Sequence, residues 1–422
     1  MNSAMDVLKN GAVAVLNKKI VDLDAAEVIL EKYSSPEIIS GEGRVVMPGF
    51  INTHTHAAMV YFRGLADDLP LKEWLENHIW PAEGRCLSPE FVYDAVELAC
   101  LEMLKSGTTT FSDMYFFADS TAKAAVKMGM RAVVCSGVVD FPTVTGSNAD
   151  DYLNSAERFI NDWSDDALIR PGIAAHSAYT CSPDTLKKIC RLSDKCFVSR
   201  QIHLSETEWE VSEIISRYGK RPAVHLDNTG FFDGRSVAAH CVWVDAGEID
   251  ILAKKGVGVS HCIESNLKLA SGIAPVPAML KAGAAVSFGT DGAASNNDMD
   301  LISEMSTAAK VHKAVSKDPT VIDAATALRM ATIGGAKALG MDGEIGSIEK
   351  GKYADLVAVN LKKPHLTPLY SIYSHMVYSL RASDVETVMV NGRIIIDKGR
   401  LILKDEDEIL KKAGEWAQKV SL

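Results

Sequence analysis

Short β-rich apolar runs alternate with segments of helical periodicity from about residue 45 to residue 340. Polar turns separate them, and several helical segments begin with Ser, Asp or Pro and end near Gly, as helix caps do. The predicted strands are VVMPGFIN, TTTFSDM, RAVVCSGVV, LIRPGIAAH, SRQIHLS, SVAAHC, GVGVSH and AAVSFGTD. The predicted helices include SPEFVYDAVELACLEMLKSG, ADSTAKAAVKMG, SPDTLKKICRLS, ETEWEVSEIISRYG and MDLISEMSTAAKVHKAV.

Eight successive strand-then-helix units predict an α/β fold, namely a (β/α)8 TIM barrel that occupies residues 48–352. The competing architecture is a doubly wound open sheet, which normally has a glycine-rich phosphate-binding turn after its first strand. The GxGxxG pattern of that turn is absent from the sequence. The barrel is therefore the favoured architecture.

The two chain ends have a different pattern, with short β-rich runs in residues 1–47 and again in residues 353–422. These runs are AVAVLN, EVIL and PEIIS at the start, and ADLVAVNL and VETVMVNGRIIID near the end, where an Asn-Gly turn separates two strands. We expect both ends to pair into one small β-sandwich domain beside the barrel. The final stretch, EDEILKKAGEWAQKV, predicts an amphipathic helix.

The 422 residues are 47% hydrophobic, enough for a sizeable core, and the formal net charge at pH 7 is −11. An acidic surface repels phosphate backbones, which argues against a nucleic-acid binder. No apolar run approaches the ~20 residues that a membrane span needs, and the N-terminal stretch lacks the pattern of a signal peptide. We therefore expect a cytoplasmic protein with reduced cysteines.

The motif Asn52-Thr53-His54-Thr55-His56 ends the first predicted strand. Residues two apart in a strand point to the same side, so His54 and His56 can face one cation together. Imidazole is the commonest neutral metal ligand. The motif alone is only moderately specific, because two packed, hydrogen-bonded histidines give the same pattern.

Further titratable residues lie at the ends of later predicted strands. His176, His203 and His240 are each close to the end of a strand, and Asp291 follows AAVSFGT. In a (β/α)8 barrel these positions converge on the C-terminal face, where active sites lie. So many coincidences favour a metal centre over separately packed histidines.

We expect His54, His56, His203 and Asp291 to bind a single divalent cation. Three imidazoles and one carboxylate suit zinc or iron better than magnesium or calcium, which prefer all-oxygen ligands. We expect zinc, with iron or manganese as alternatives. Some barrel hydrolases hold two metals with a modified lysine at the end of strand four, but His176 stands there in this chain.

The same residues predict a metal-dependent hydrolase, because a bound cation lowers the pKa of a water ligand and so supplies hydroxide. Glu206, three residues after His203, is the candidate that shuttles a proton, although a helix N-terminal carboxylate is its alternative role. His240 is the candidate that hydrogen-bonds the water. Asp291 is expected both to ligate the cation and to accept a proton.

Several segments resemble the amidohydrolase superfamily in their order along the chain. They are PGFINTHTHAAMVYFRGLADDLPLKEWLENHIWPAE, AAHSAYTCSP, IHLSETEWEV, AAHCVWVD, SNLKLASGIAPV, GTDGAASNNDMDLISEM and GSIEKGKYADLV. More narrowly, they resemble the 5-methylthioadenosine/S-adenosylhomocysteine deaminases, near the triazine chlorohydrolases. The resemblance spans nearly the whole chain.

The resemblance implies a metal, usually zinc, on the four ligands named above, with Glu206 as the proton shuttle and His240 as the residue that polarises the water. It implies that Glu83 contacts the ribose and that His176 contacts the substrate near the metal. Glu206 and Asp291 are then expected to meet the substrate as well.

Two positions bear on how the substrate is held. Trp74 is a candidate to pack against the ligand, or else an aromatic residue of a helix core. Relatives that bind S-adenosylhomocysteine place arginines after strand three. In this chain the corresponding stretch is CSGVVDFPTVTGSNADD, which has Ser136 and contains no arginine; the next arginine is Arg158. This difference favours adenosine analogues with short 5′ groups.

We therefore predict an aminohydrolase of cyclic amidines that converts an adenine nucleoside to the inosine analogue and ammonia. The candidate substrates are 5-methylthioadenosine, S-adenosylhomocysteine, 5′-deoxyadenosine and adenosine. The alternatives are action on another heterocycle (guanine, cytosine, a pterin or a triazine) and a catalytically silent metal-binding sensor. The expected partner is this small-molecule nucleoside, and a homo-oligomer is left open.

Overall fold

The computed structural model describes residues 1–421. The strands in the middle of the chain pair in parallel, whereas those at the two ends pair antiparallel. The strands in chain order are β1 (Gly11–Leu16), β2 (Lys19–Ala25), β3 (Arg44–Pro48), β4 (Phe50–Thr55), β5 (Thr108–Tyr115), β6 (Arg131–Val138), β7 (Ile169–Ser177), β8 (Ser199–Leu204), β9 (Ser236–His240), β10 (Gly258–His261), β11 (Ala285–Phe288), β12 (Leu356–Asn360), β13 (Val385–Val390), β14 (Arg393–Asp397) and β15 (Arg400–Leu401).

Helices follow most of the middle strands. The α-helices in chain order are α1 (Ala26–Lys32), α2 (Leu71–Trp74), α3 (Trp80–Cys86), α4 (Pro89–Lys105), α5 (Ala118–Lys127), α6 (Ala149–Trp163), α7 (Pro183–Cys196), α8 (Glu208–Tyr218), α9 (Pro222–Asn228), α10 (Ala246–Lys255), α11 (Ile263–Lys268), α12 (Val276–Lys281), α13 (Ala293–Asn296), α14 (Leu301–Ser316), α15 (Ala324–Ala331), α16 (Ile333–Ala338), α17 (Ile372–Tyr378) and α18 (Glu406–Val420). A π-helix (Leu75–Ile79) joins α2 to α3, and short 3-10 helices span Ala57–Phe62, Phe231–Asp233, Pro364–Leu366 and Ala382–Asp384.

Strands β4 to β11 form an eight-stranded parallel sheet in which sequence neighbours are also spatial neighbours. The first and last strands meet where Thr55 bridges to Asp291, so that the sheet nearly closes on itself. The predicted (β/α)8 barrel is therefore confirmed. Because all eight strands are parallel, their carboxyl ends face one mouth.

Local sequence signals explain where the helices begin. Ser88, Ser182 and Thr207 accept a hydrogen bond from the backbone N–H three residues ahead, which satisfies a donor that the first helical turn leaves unpaired. Pro89 and Pro183 occupy the first helical position, where a missing N–H is harmless. The predicted barrel helices accordingly start close to their expected positions.

The two chain ends pair as predicted, because β3 runs antiparallel to β12 in a five-stranded sheet of order β15-β14-β13-β12-β3. The β1–β2 hairpin packs against this sheet through a small apolar cluster that includes Ile20, Ile348 and Leu356. Asn391 and Gly392 turn the chain between β13 and β14 with φ of 52° and 76°, as expected for an Asn-Gly hairpin. The domain boundaries at residues 47/48 and 352/353 remain a prediction.

Three details of the chain ends differ from the prediction. The run EVIL lies in helix α1 rather than in a strand, and PEIIS forms no strand. The run VVMPGFIN is two strands in two sheets, separated at Gly49. A β-carbon at Gly49 would lie 2.2 Å from Thr109 Oγ1, so only glycine lets the chain pass from one sheet into the other there.

The predicted C-terminal amphipathic helix is confirmed as α18, which packs on the barrel helix α4. Lys412 Nζ and Trp416 Nε1 donate to the two carboxylate oxygens of Asp94, at 2.6 and 3.0 Å. The C-terminal segment is therefore tied to the barrel by charge as well as by apolar packing.

Membrane crossing requires a long apolar helix. Within residues 1–421, none of the helices combines the necessary length and hydropathy.

A buried ion pair joins the barrel to the sheet of the chain ends. Arg131, the first residue of β6, donates from Nε and Nη2 to the carboxylate of Asp355, at 2.7 and 3.2 Å. The two residues are only 3% and 4% exposed. Such a pair is costly to break, because removing one partner leaves the other charge buried without compensation.

We expect Asp355→Asn to lower the free energy of unfolding by about 3 kcal/mol, because Arg131 would keep its charge and lose its counter-ion. Urea unfolding followed by circular dichroism measures this change. Glu42→Gln is the matched control, since Glu42 pairs with Lys362 on the surface and its loss should leave the urea midpoint unchanged. An unaltered midpoint for Asp355→Asn would contradict the role of the pair.

Candidate active site

The predicted titratable residues meet at the mouth of the barrel. His54 and His56 lie at the end of β4, His203 lies in β8, His240 ends β9, and Asp291 follows β11. One nitrogen of each of His54, His56 and His203 and one oxygen of Asp291 lie within 4.8 Å of one another. Parallel strand direction is the reason, because it brings the carboxyl ends of distant segments to one place.

Hydrogen bonds on the outer ring nitrogens orient two of the imidazoles. His56 Nδ1 lies 2.6 Å from the carbonyl oxygen of Met114, and His203 Nδ1 lies 2.7 Å from that of His176. A carbonyl oxygen only accepts, so each Nδ1 donates and each Nε2 keeps its lone pair. The two Nε2 atoms lie 3.1 Å apart and face the centre of the cluster.

Asp291 is held by hydroxyl groups on its outer oxygen. Ser265 Oγ and Ser295 Oγ both donate to Asp291 Oδ2, at 2.7 and 2.6 Å. The other oxygen, Oδ1, lies 3.4 Å from His54 Nε2 and 3.3 Å from His56 Nε2. The carboxylate therefore presents one oxygen to the histidines.

Burial keeps the imidazoles of His54 and His203 neutral, whereas the surrounding histidines keep the carboxylate of Asp291 charged. Desolvation lowers the pKa of His54 to about 4 and holds the pKa of His203 well below its usual range. Burial alone would raise the pKa of Asp291, but His54, His56 and His240 around it outweigh that effect and hold it well below its usual range. Neutral imidazoles and an ionised carboxylate are the forms that bind a metal.

The arrangement fits a divalent cation of the zinc type. His54 Nε2 is buried and makes no hydrogen bond within residues 1–421, although a buried polar atom normally has a partner. Together with the two other inward Nε2 atoms and one carboxylate oxygen, it offers the mixed nitrogen and oxygen ligand set that zinc, iron or manganese accepts.

A cavity at the barrel mouth is lined by His56, His203 and Asp291, and Glu206, just beyond β8, lines it too. Burial raises the pKa of Glu206 to about 8, helped by the nearby charge of Asp291, which favours the protonated form of this side chain. The carboxylate of Glu210 accepts hydrogen bonds from the backbone N–H groups of Ser205 and Glu206, at 2.8 and 2.9 Å. Glu210 thereby holds the loop that carries Glu206.

His240 faces Glu206 across the cluster, with 3.8 Å between His240 Nε2 and Glu206 Oε2. Asn266 Nδ2 lies 3.0 Å from His240 Nδ1 and donates to it, which leaves the ring proton on Nε2. His240 and Asp291 have φ of 69° and 62°, which is uncommon for residues other than glycine. Such backbone strain is concentrated at functional sites.

Glu83 lies in helix α3 and lines the same cavity as His56, His203 and Asp291. The hydroxyl of Tyr115, at the end of β5, donates to Glu83 Oε1 at 2.5 Å. Burial raises the pKa of Glu83 to about 7, while the hydrogen bond from Tyr115 opposes this rise. Glu83 is therefore a buried acid with one fixed oxygen.

The two remaining candidate residues also line the cavity. His176 stacks edge-on against His203, with ring centroids 4.8 Å apart, and burial lowers its pKa to about 4. Trp74 is only 4% exposed and donates from Nε1 to the carbonyl oxygen of Ala66 at 3.0 Å. Trp74 is thus both part of the core and part of the cavity wall.

Sequence analysis missed Tyr115, Ser295 and Glu210, each of which supports a predicted site residue. Ser295 stands four residues after Asp291 and Glu210 four residues after Glu206, so both follow a site residue by about one helical turn. That spacing is a usable sequence signal. Tyr115 gives none, because its partner Glu83 lies in a different segment.

The comparisons with known proteins agree with this geometry. The model of the "Amidohydrolase family" matches residues 45–395. A 5-methylthioadenosine/S-adenosylhomocysteine deaminase of Thermodesulfovibrio yellowstonii is 57% identical over 100% of this chain and 96% of its own length. A 5′-deoxyadenosine deaminase of Methanosarcina acetivorans is 45% identical over 98% of this chain and 94% of its own.

A solved structure extends the likeness to three dimensions. An adenosine deaminase from Xanthomonas campestris, crystallised with bound zinc, is 40% identical and superimposes with a TM-score of 0.98 over 100% of this chain and 96% of its own. The family match, the relatives and the shared barrel lead to one conclusion: this chain belongs to the amidohydrolase family.

Proposed function

We propose that this protein is a metal-dependent deaminase that converts an adenine nucleoside and water to the corresponding inosine and ammonia. The observation that carries the proposal is a single cavity lined by His56, His203 and Asp291 together with the acids Glu206 and Glu83. The fourth candidate ligand, His54, is buried, and its ligand atom lies within 4.8 Å of those of the other three. The names of the relatives support it, since each is a deaminase of an adenosine.

We propose that His54, His56, His203 and Asp291 hold one zinc ion. The neutral nitrogen ligands and the zinc in the related adenosine deaminase support this choice over a metal that prefers oxygen alone. When bound, a divalent cation of this type supplies Lewis acidity that makes water a stronger nucleophile near neutral pH.

The chain's own residues manage the protons. A water oxygen forms a bond to C6 of the purine, the bond from C6 to the exocyclic nitrogen breaks, and ammonia leaves. Glu206, whose protonated form is favoured by burial, gives a proton to the adjacent ring nitrogen and takes one from the water. His240 donates from Nε2 to the oxygen that attacks C6, and this hydrogen bond stabilises the negative charge that develops on that oxygen. Asp291 accepts the second proton of the water and passes it to the exocyclic nitrogen, which leaves as ammonia.

The remaining residues position the nucleoside. Glu83 accepts hydrogen bonds from the ribose hydroxyls, and Tyr115 fixes one of its oxygens. His176 meets the substrate near the metal-ligand cluster, and Trp74 contributes an apolar wall. Fixed positioning of this kind lowers the entropic part of the barrier.

The test of the function is an ammonia-release assay of the purified, zinc-loaded protein with adenosine, 5′-deoxyadenosine and 5-methylthioadenosine. Guanine, cytosine, a pterin and a chlorotriazine serve as comparison substrates, with chloride release measured for the last. We expect ammonia from the adenosines. Turnover of another heterocycle with none from any adenosine would overturn the proposal.

Glu206→Gln is expected to lower kcat by about 10²–10⁴-fold, because an amide neither releases nor takes up a proton near neutral pH, while the zinc content is retained. Steady-state ammonia release and elemental analysis of the same sample measure both quantities. Glu208→Gln is the matched control, since Glu208 is exposed two residues further on and its loss should leave kcat unchanged. A normal kcat in Glu206→Gln would rule out the proton-shuttle role.

Removal of metal with a chelator is expected to abolish ammonia release, and added zinc should restore it. His203→Ala is expected to lower the zinc bound per chain, because it removes one of the four ligands. His78→Ala, an exposed histidine, is the control that should keep its zinc. Full activity after complete chelation would contradict the metal-dependent mechanism.

Tyr115→Phe is expected to weaken recognition of the ribose, because Glu83 loses the donor that fixes its carboxylate. We expect the ratio of kcat/KM for adenosine to kcat/KM for 2′,3′-dideoxyadenosine to fall about tenfold, the size of one hydrogen bond to a charged group. Tyr218→Phe, on helix α8 away from the cavity wall, is the control. An equal fall for both substrates would indicate a merely structural role for Tyr115.

A further inference from the structure

The wall of the substrate cavity is chemically of two kinds. The cavity measures about 550 Å³, in the range of small-molecule sites. Three of the candidate metal ligands and Glu206 form its polar part. Trp80, Phe141, Pro142 and Val144 also line it, and we call this partly exposed, nonpolar part the apolar end.

We propose that the apolar end receives the 5′ substituent of the nucleoside and restricts it to an uncharged group, a hydrogen, a hydroxyl or a short alkylthio chain. This inference rests on the proposed function and deepens it, because the names of the relatives differ in the 5′ group. Phe141 and Val144 are the specificity-determining residues.

The position of Glu83 beside Trp80 indicates where the 5′ group of a bound nucleoside would lie. Glu83 and Trp80 lie one turn apart on helix α3, so the two side chains line neighbouring parts of the cavity. Trp80 in turn faces Phe141, with ring centroids 6.3 Å apart. With the base at Glu206 and the ribose hydroxyls at Glu83, the 5′ carbon comes next to this aromatic pair.

The loop that carries Phe141 and Val144 is firmly held. The hydroxyl of Tyr152 is within hydrogen-bond distance of the carbonyl oxygens of Phe141 and Gly146, at 2.9 and 2.7 Å. The backbone N–H of Thr143 also donates to the carbonyl oxygen of Gly146, at 2.9 Å, which closes the loop on itself. The apolar wall is thus a fixed surface rather than a loose segment.

The apolar end of the cavity offers no positive charge to a substrate. Across residues 1–421, no lysine or arginine lines the cavity, and its acidic groups are Glu83, Glu206 and Asp291. An amino-acid tail on the 5′ position carries a carboxylate and an ammonium group, which both lose water on entry and need an ionic partner. Trp80, Phe141 and Val144 are 38%, 40% and 40% exposed, so they form an apolar rim that such a tail would have to cross.

The neighbouring cavity does not supply the missing charge. It adjoins the first at Leu71, Leu75 and Trp80 and contains Lys72 and Lys268. Lys268 Nζ is already paired with Asp67 Oδ1 at 2.6 Å, and Lys72 lies 3.9 Å from Glu76. Asp68, Glu76 and Glu208 also line that cavity, and these acids disfavour a carboxylate.

The test compares kcat/KM of the zinc-loaded protein for 5′-deoxyadenosine, 5-methylthioadenosine and S-adenosylhomocysteine. We expect the first two to be similar and S-adenosylhomocysteine to be at least about tenfold lower, as for a charged group without a partner. A value for S-adenosylhomocysteine within threefold of 5-methylthioadenosine would overturn this inference alone. Absence of ammonia from all three and from adenosine would overturn the proposed function, and this inference with it.

A charge added to the apolar end should shift the preference. We expect Val144→Arg to raise the ratio of kcat/KM for S-adenosylhomocysteine to kcat/KM for 5-methylthioadenosine by about tenfold, since one hydrogen bond to a charged group has that size. Val144→Met is the matched control, because it adds length without charge and should leave the ratio unchanged. Phe141→Arg is the second variant, with the same expectation.

Val144 and Phe141 are both partly exposed, so the substitutions should leave the thermal unfolding midpoint close to that of the parent protein. The ratio of the two substrates in one folded variant is insensitive to the amount of active enzyme. An unchanged ratio in both arginine variants, or an equal change in Val144→Met, would show that the apolar end does not select the 5′ group.

Discussion

The closure of the barrel between its first and last strands is the constraint on which the site depends. The backbone N–H of Asp291 donates to the carbonyl oxygen of His54 at 3.0 Å, and Thr55 bridges to Asp291 beside it. This contact sets the carboxylate of Asp291 against the two histidines of β4. In an open sheet of the same strands, β4 and β11 would lie at opposite edges, so Asp291 would be far from His54 and His56.

Burial acts in opposite directions on the two kinds of group at the barrel mouth. It removes the proton from imidazoles such as His54, which then offer a lone pair, and it retains the proton on Glu206, which then has one to give. Hydrogen bonds from outside the cluster, such as those of Ser265 and Ser295 to Asp291, fix the orientation of the ligands. Exclusion of water therefore favours both the neutral imidazoles that bind a metal and the protonated form of Glu206.

The walls that meet the substrate away from the metal ligands come from segments outside the strands. Helix α3 supplies Glu83 and Trp80, and the loop between β6 and α6 supplies Phe141 and Val144. Loops on a barrel change without disturbing the strands that carry the chemistry. In our proposals the strand ends decide the reaction, and these segments decide which nucleoside is accepted.

The sequence alone determined the barrel, the pairing of the chain ends and the helix α18, because these depend on local periodicity and turn chemistry. It was wrong about EVIL, since a four-residue apolar run has no period that separates strand from helix. It also placed the metal-ligand candidates at strand ends, from which parallel topology predicts their convergence. Their inward ring nitrogens, the support of Glu83 by Tyr115 and the passage of Gly49 past Thr109 were decided only by tertiary structure. Each of these joins residues from separate segments, and the distance between such residues is a property of the packed chain that no local pattern contains.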